Sequence, residues 1–220
     1  MSQTQTEEKT QASAWKRFLF SDMLADKSAA KKIAYIAVLA ALCIVTNTFE
    51  IKFATVQFSF TIVSSVLAGM MIGPLFGAAA VFLGDGIGYL MNSMGYPYYW
   101  WVALSCAMMA VIAGLIMHIP MRFKGSIYVK LVLICVSTLF ICSVIINSTG
   151  MYYIGLKIYM PKNVLAAFEE RFGGRQTFGI YLLIRFFILG QIWNSVVNYA
   201  LLFAIVPVLK AIKPLKLRLE

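Results

Sequence analysis

The chain has 220 residues, 61% hydrophobic and only 13% charged, with a formal net charge of +10. A soluble domain is nearer half apolar and a quarter charged. The composition therefore excludes a secreted disulfide scaffold, a nucleic-acid-binding domain and an ordinary cytosolic enzyme. The apolar excess lies in long runs, and about 20 apolar residues suffice to cross a hydrocarbon core roughly 30 Å thick. The expected fold class is an all-α integral membrane protein with six transmembrane helices.

In chain order, three regions are expected. Residues 1–30 form a cytoplasmic N-terminal tail, polar over MSQTQTEEKTQ and then carrying a candidate interfacial helix at 15–24 (WKRFLFSDML). Residues 31–212 form a six-helix transmembrane domain, and residues 213–220 a basic cytoplasmic tail. No cleavable signal peptide is expected, because polar and charged residues precede the first apolar run. The predicted spans are Ile33–Phe49, Val56–Gly73, Leu75–Met91, Tyr98–Ile119, Ile127–Ile146 and Ile180–Leu209. Between the first two, EIKFATVQFSF alternates apolar and polar, as an extended or hairpin loop does. Gly73-Pro74 predicts a tight turn, and Gly150–Gly179 the one long connection.

Lysine and arginine set the expected orientation. With the N-terminus inside, thirteen lie on the inner side: Lys9, Lys16, Arg17, Lys27, Lys31, Lys32, Arg122, Lys124, Lys130, Lys210, Lys213, Lys216 and Arg218. Five lie outside: Lys52, Lys157, Lys162, Arg171 and Arg175. Both termini are then cytoplasmic, in a multi-pass protein of the cell membrane. Cys43, Cys106, Cys135 and Cys142 all lie in apolar segments with no CxxC pair, which suits packing thiols better than disulfides or a metal site.

The parts of an enzyme are missing. No GxSxG, HExxH or Walker A sequence is present, and His118 reads as an interface residue at the end of span four. Neither a metal nor a cofactor is implied. What stands out is polarity in expensive places. Asp85 and Arg185 are intramembrane charges, which usually face a cavity, a partner or a ligand. The competing reading is a structural ion pair or hydrogen bond for Asp85 and a snorkelling Arg185. Asn92, Asn147, Gln191, Asn194 and Asn198 add amides, the last three on one helix face, where they could equally be interhelical glue. Tyr96, Tyr98, Tyr99, Trp100, Trp101, Tyr152 and Tyr153 gather at the outer side, as an interfacial belt or as walls that stack a planar ligand. Ala37 and Ala41 form an AxxxA stripe on span one, and Gly69, Gly73 and Gly77 a second small-residue series. Such stripes permit close helix approach within the molecule or to another subunit.

Thr61–Asn92 (TIVSSVLAGMMIGPLFGAAAVFLGDGIGYLMN) resembles the LAGxxxGPxxGaxxgxxgDxxGxl signature of substrate-binding subunits (S components) of energy-coupling factor (ECF) transporters. INSTGMYY (146–153) and LLIRFFILGQIWNSVVNYALLFAIVPVL (182–209) look like the folate branch, which has an Asn after span five and an Arg opening span six. Ile188 departs from it, standing where the branch has a lysine, as does the aromatic MNSMGYPYYWW. The resemblance implies a high-affinity, membrane-embedded vitamin-binding subunit for folate or a folate-like planar anionic solute in an ATP-driven importer. It also implies partners: a transmembrane coupling subunit that docks on Ala37 and Ala41, and two ATPase subunits. The substrate-binding residues so marked are Arg185, Asp85, Asn92, Tyr98, Trp100, Trp101, Asn147, Tyr152, Gln191 and Asn194. An S component for another vitamin, such as riboflavin or a queuosine precursor, stays open, as does a structural membrane subunit that binds nothing.

Overall fold

The computed structural model describes residues 19–25, 27–53, 56–93, 97–121, 123, 125–174 and 177–211. These form a helical membrane bundle with one small hairpin. Both tails beyond them, and residues 15–18 of the expected interfacial helix, lie outside the described residues.

Helix α1 (Ala29–Thr48) is apolar along nearly all its length and, at about 1.5 Å per residue, reaches roughly 30 Å. Two strands follow, β1 (Glu50–Phe53) and β2 (Val56–Ser59), paired antiparallel with Glu50 opposite Ser59 and Phe53 opposite Val56. The alternating pattern thus becomes a hairpin, and it takes Val56–Ser59 away from the expected second span. Helix α2 (Thr61–Ile72) has only 12 residues, yet every residue from Ile62 to Met70 is buried. It is the central helix, with core on all sides, and so needs no polar face.

A non-helical entry into such a helix is tolerated only where protein satisfies its backbone. Helix α8 does this. Ser59 N–H donates to Asn194 Oδ1 at 3.1 Å, Ser59 C=O accepts from Asn198 Nδ2 at 2.7 Å, and Val63 N–H donates to Asn198 Oδ1 at 3.2 Å.

Gly73, at φ 125°, turns α2 into α3 (Pro74–Met91), with proline at the helix start where a missing N–H costs nothing. Phe20, Ser21 and Leu24 fold onto this corner. Ser21 N–H donates to Ile72 C=O at 2.7 Å, its hydroxyl donates to Met71 C=O, Phe20 stacks on Phe76, and Leu24 has no exposed surface. Gly69 and Gly77 are internal: a Cβ at Gly69 would come within 2.0 Å of Ala110 C=O, and one at Gly77 within 2.8 Å of Ala68 C=O.

Helix α4 (Trp100–Met117) packs against α2 and α3. Its terminal Met117 C=O accepts from the buried Lys130 Nζ at 3.1 Å, a cation at a helix C-terminus. Helix α5 begins as an α-helix (Ser126–Ser137) and widens into π-helix over Thr138–Ser148 and Met151–Tyr159. It therefore runs 13 residues beyond the expected end of span five, and the long connection shrinks to α6 (Lys162–Arg171) and short links. The last expected span is two pieces. Helix α7 (Phe178–Leu183) continues as π-helix over Ile184–Ile188, Gly190 at φ 79° breaks the chain, and α8 (Gln191–Ala211) follows. Among the described residues five helices are long and apolar enough to cross a membrane, and Thr61–Ile72 and Phe178–Ile188 are shorter apolar helices.

Candidate functional site

The π-helical part of α5 gathers polar and aromatic groups. π-Helical turns are rare and frequent at functional sites, because the wider turn re-aims side chains. Tyr152 packs edge-on to Tyr153 and Phe178, with its ring 5.4 Å from that of Tyr181 on α7. Tyr181 is 3% exposed, and its hydroxyl accepts from Arg185 Nη1 at 3.3 Å. Arg185 Nε is buried and has no hydrogen-bond partner among the described residues. A neutral phenol thus receives the guanidinium, and part of its fork is left over. Lys157 Nζ lies 4.5 Å above the Tyr152 ring and 5.0 Å above that of Tyr153, a cation–π arrangement.

Trp101 stands against the same stretch of α5. A Cβ on Gly150 would lie 2.4 Å from Trp101 Cδ1, so only glycine admits the indole there. The side chain is 2% exposed, Tyr99 and Tyr159 flank it at 5.1 and 5.8 Å between ring centroids, and Nε1 is buried without a partner. Asn147 Oδ1, on the preceding turns of α5, is also buried and unsatisfied. Buried polar atoms are normally paired, so orphans call for an explanation. Among the described residues, three such atoms lie on or beside α5 and α7: Arg185 Nε, Trp101 Nε1 and Asn147 Oδ1.

The remaining residues singled out from sequence fall elsewhere. Asp85 hydrogen-bonds the side chains of Tyr98 and Asn47, on the α1 side of the bundle. Asn92 is exposed and donates to Thr48 C=O at 3.2 Å. Trp100 is half exposed, and Tyr96 lies outside the described residues. Asn194 spends its Oδ1 on Ser59 and Asn198, and the Gln191 main-chain carbonyl accepts from Ser195 Oγ. Asn194 and Asn198 are thus glue between α8 and the hairpin, the plainer of the two readings. Tyr181, Lys157 and Asn47 were not singled out. Tyr181 stands four residues before Arg185, a helical neighbour by spacing, whereas Lys157 meets Tyr152 at a spacing of five that only a π-helix brings onto one face. Ala37 and Ala41 are both exposed on α1, beside exposed Val38, Leu42 and Val45.

The sequence pattern described as "ECF transporter, substrate-specific component" matches residues 31–210. No curated protein matches the chain at the level that marks relatedness. The match spans every helix from α1 to α8, and on that extent the chain belongs to the family of ECF transporter substrate-specific components.

Proposed function

We propose that this S component captures folate, or a folate-like planar solute bearing carboxylates, between α4, α5 and α7. An S component is a transporter's substrate-binding subunit and not an enzyme. In this reading Arg185 pairs with a carboxylate, Asn147 and Trp101 Nε1 add hydrogen bonds, and Tyr152 with Trp101 covers the flat ring. Gln191, Asn92 and Trp100 border the entrance. The observation that carries it is Arg185, whose Nε is buried without a partner while its Nη1 reaches only a tyrosine hydroxyl. Its Nε is shut off from water with no counter-charge beside it among the described residues, and a carboxylate supplies two parallel hydrogen bonds to such a fork. Ala37 and Ala41 receive the transmembrane coupling subunit, and two ATPase subunits power the cycle. Their exposure supports this: small residues bring no benefit against lipid but let a partner helix approach closely.

The test is extraction of the retained ligand. The protein is purified in detergent from cells supplied with folate, and the denatured sample is read by mass spectrometry. Recovery of a folate near one per protein, with saturable binding of folic acid to the emptied protein, supports the proposal. Recovery of a flavin or another neutral ring transfers the site to a different vitamin. An empty protein that binds none of them makes the chain a structural subunit.

A further inference from the structure

Asp85 interacts with the side chains of Tyr98, just ahead of the α4 aromatics, and Asn47, near the C-terminal end of α1. The backbone places all three together: a Cβ on the adjacent Gly86 would lie 3.9 Å from Tyr98 Oη. Around this contact α3 lies unusually close to α1. A Cβ on Gly84 would come within 2.8 Å of Cys43 Cβ, and one on Gly88 within 2.8 Å of Asn47 Cβ. Asn92 adds a hydrogen bond from the end of α3 to Thr48 C=O. Tyr98 is also packed on Tyr89, 5.0 Å between ring centroids. Tyr98 therefore hangs from the α1–α3 seam, and Tyr99, Trp100 and Trp101 follow it in the chain. The same α1 exposes Ala37 and Ala41 one and a half to three turns below Asn47.

We propose that Asp85 is a positioning residue: by joining Tyr98 to Asn47 it fixes the aromatic segment Tyr98–Trp101 to the outer end of α1, and so links the ligand wall to the docking helix. The words ligand wall and docking helix rest on the function proposed above; the fixing of the segment does not. A carboxylate suits the task because it accepts from a phenol and an amide together. Leaving both donors unmatched would free the segment, and the wall would then have to be ordered by the ligand at the expense of affinity.

The experiment uses the full chain in detergent with Trp15 and Trp193 replaced by phenylalanine, so that emission reports Trp100 and Trp101. Asp85→Leu, Asp85→Asn and Tyr98→Phe are compared for acrylamide quenching without ligand. Asp85→Leu and Tyr98→Phe are expected to raise the quenching constant by about the same amount, with no further rise in the double variant, since each deletes the Asp85–Tyr98 contact that holds the segment. Asp85→Asn keeps an acceptor oxygen and is expected to stay near the parent. Unchanged quenching in Tyr98→Phe overturns the proposal, and that variant decides the matter if Asp85→Leu does not fold. Folic acid titration is the second arm, with an affinity loss of about tenfold expected for Asp85→Leu, the scale of one unsatisfied hydrogen bond. Equal loss in Asp85→Asn and Asp85→Leu with quenching at the parent value makes Asp85 a ligand contact instead. If the parent itself does not bind folic acid, the folate reading fails while the quenching arm still decides this one.

Discussion

Arg185 is where electrostatics and packing meet. Its Nη1 is held by Tyr181, which is itself clamped by Tyr152, so the guanidinium is oriented before any ligand arrives. Preorganisation of this kind lowers the ordering cost of binding. Lys157, Lys162 and Arg171 lie on the same connection against Glu169 and Glu170, a field that favours an arriving anion, although salt screens it over roughly 8–10 Å. Removing one partner of a desolvated charge pair typically costs on the order of 2–5 kcal/mol, or about 30- to several-thousand-fold in affinity. Isothermal titration with folic acid should therefore show nearly abolished binding in Arg185→Ala. Arg185→Lys should be clearly weakened, because an ammonium cannot reproduce the planar fork. A folate analogue lacking the glutamyl carboxylates should lose little. Equal losses for charged and neutral ligands would instead make Arg185 an anchor for Tyr181.

At the scale of elements, α1 is the least buried of the five helices long enough to cross a membrane. Only Leu39 and Cys43 of its residues are buried, while Ala37 and Ala41 look outward. Ala41→Trp should leave folic acid binding to the isolated protein unchanged, since Ala41 is exposed, and should collapse uptake by cells carrying the complete importer. Surviving uptake would remove the stripe from the docking surface. The helices α1, α3 and α4 are legible in sequence because each is one long, mostly apolar run. The far end of α5 is not, because Met151–Tyr159 mixes tyrosines with Lys157, and amphipathic residues look the same in a long helix as in a loop at the interface. The break before α8 hides in a continuous apolar stretch, marked only by Gly190. The site is legible to the same degree: charge and aromatic content point to Arg185 and Tyr152. The partners of Asn194 and Asn198 lie 135 residues away, at the end of the hairpin and the start of α2, and leave no local trace.

For the whole molecule, contacts sort the chain into two ends, and charge assigns them to two sides. Asn92 bonded to Thr48 places the α1 terminus with the α3–α4 connection, and Tyr152 packed against Tyr181 places the π-helical end of α5 with α7. At the opposite end Ser21 is bonded to Ile72, and Lys130 to Met117. By sequence count, thirteen basic residues are assigned to the inner side and five to the outer. The orientation expected from the positive-inside rule turns the candidate site outward and leaves both termini in the cytoplasm. A membrane-impermeant maleimide checks this directly. Asn163→Cys, on the exposed α6, should be labelled in intact cells, and Ser2→Cys only after permeabilisation. The native thiols should contribute little background, since Cys43, Cys106 and Cys142 are buried and Cys135 is half-buried on a membrane helix. The reverse pattern would point Arg185 and its aromatic neighbours at the cytosol, and capture from outside would then have no site to act through.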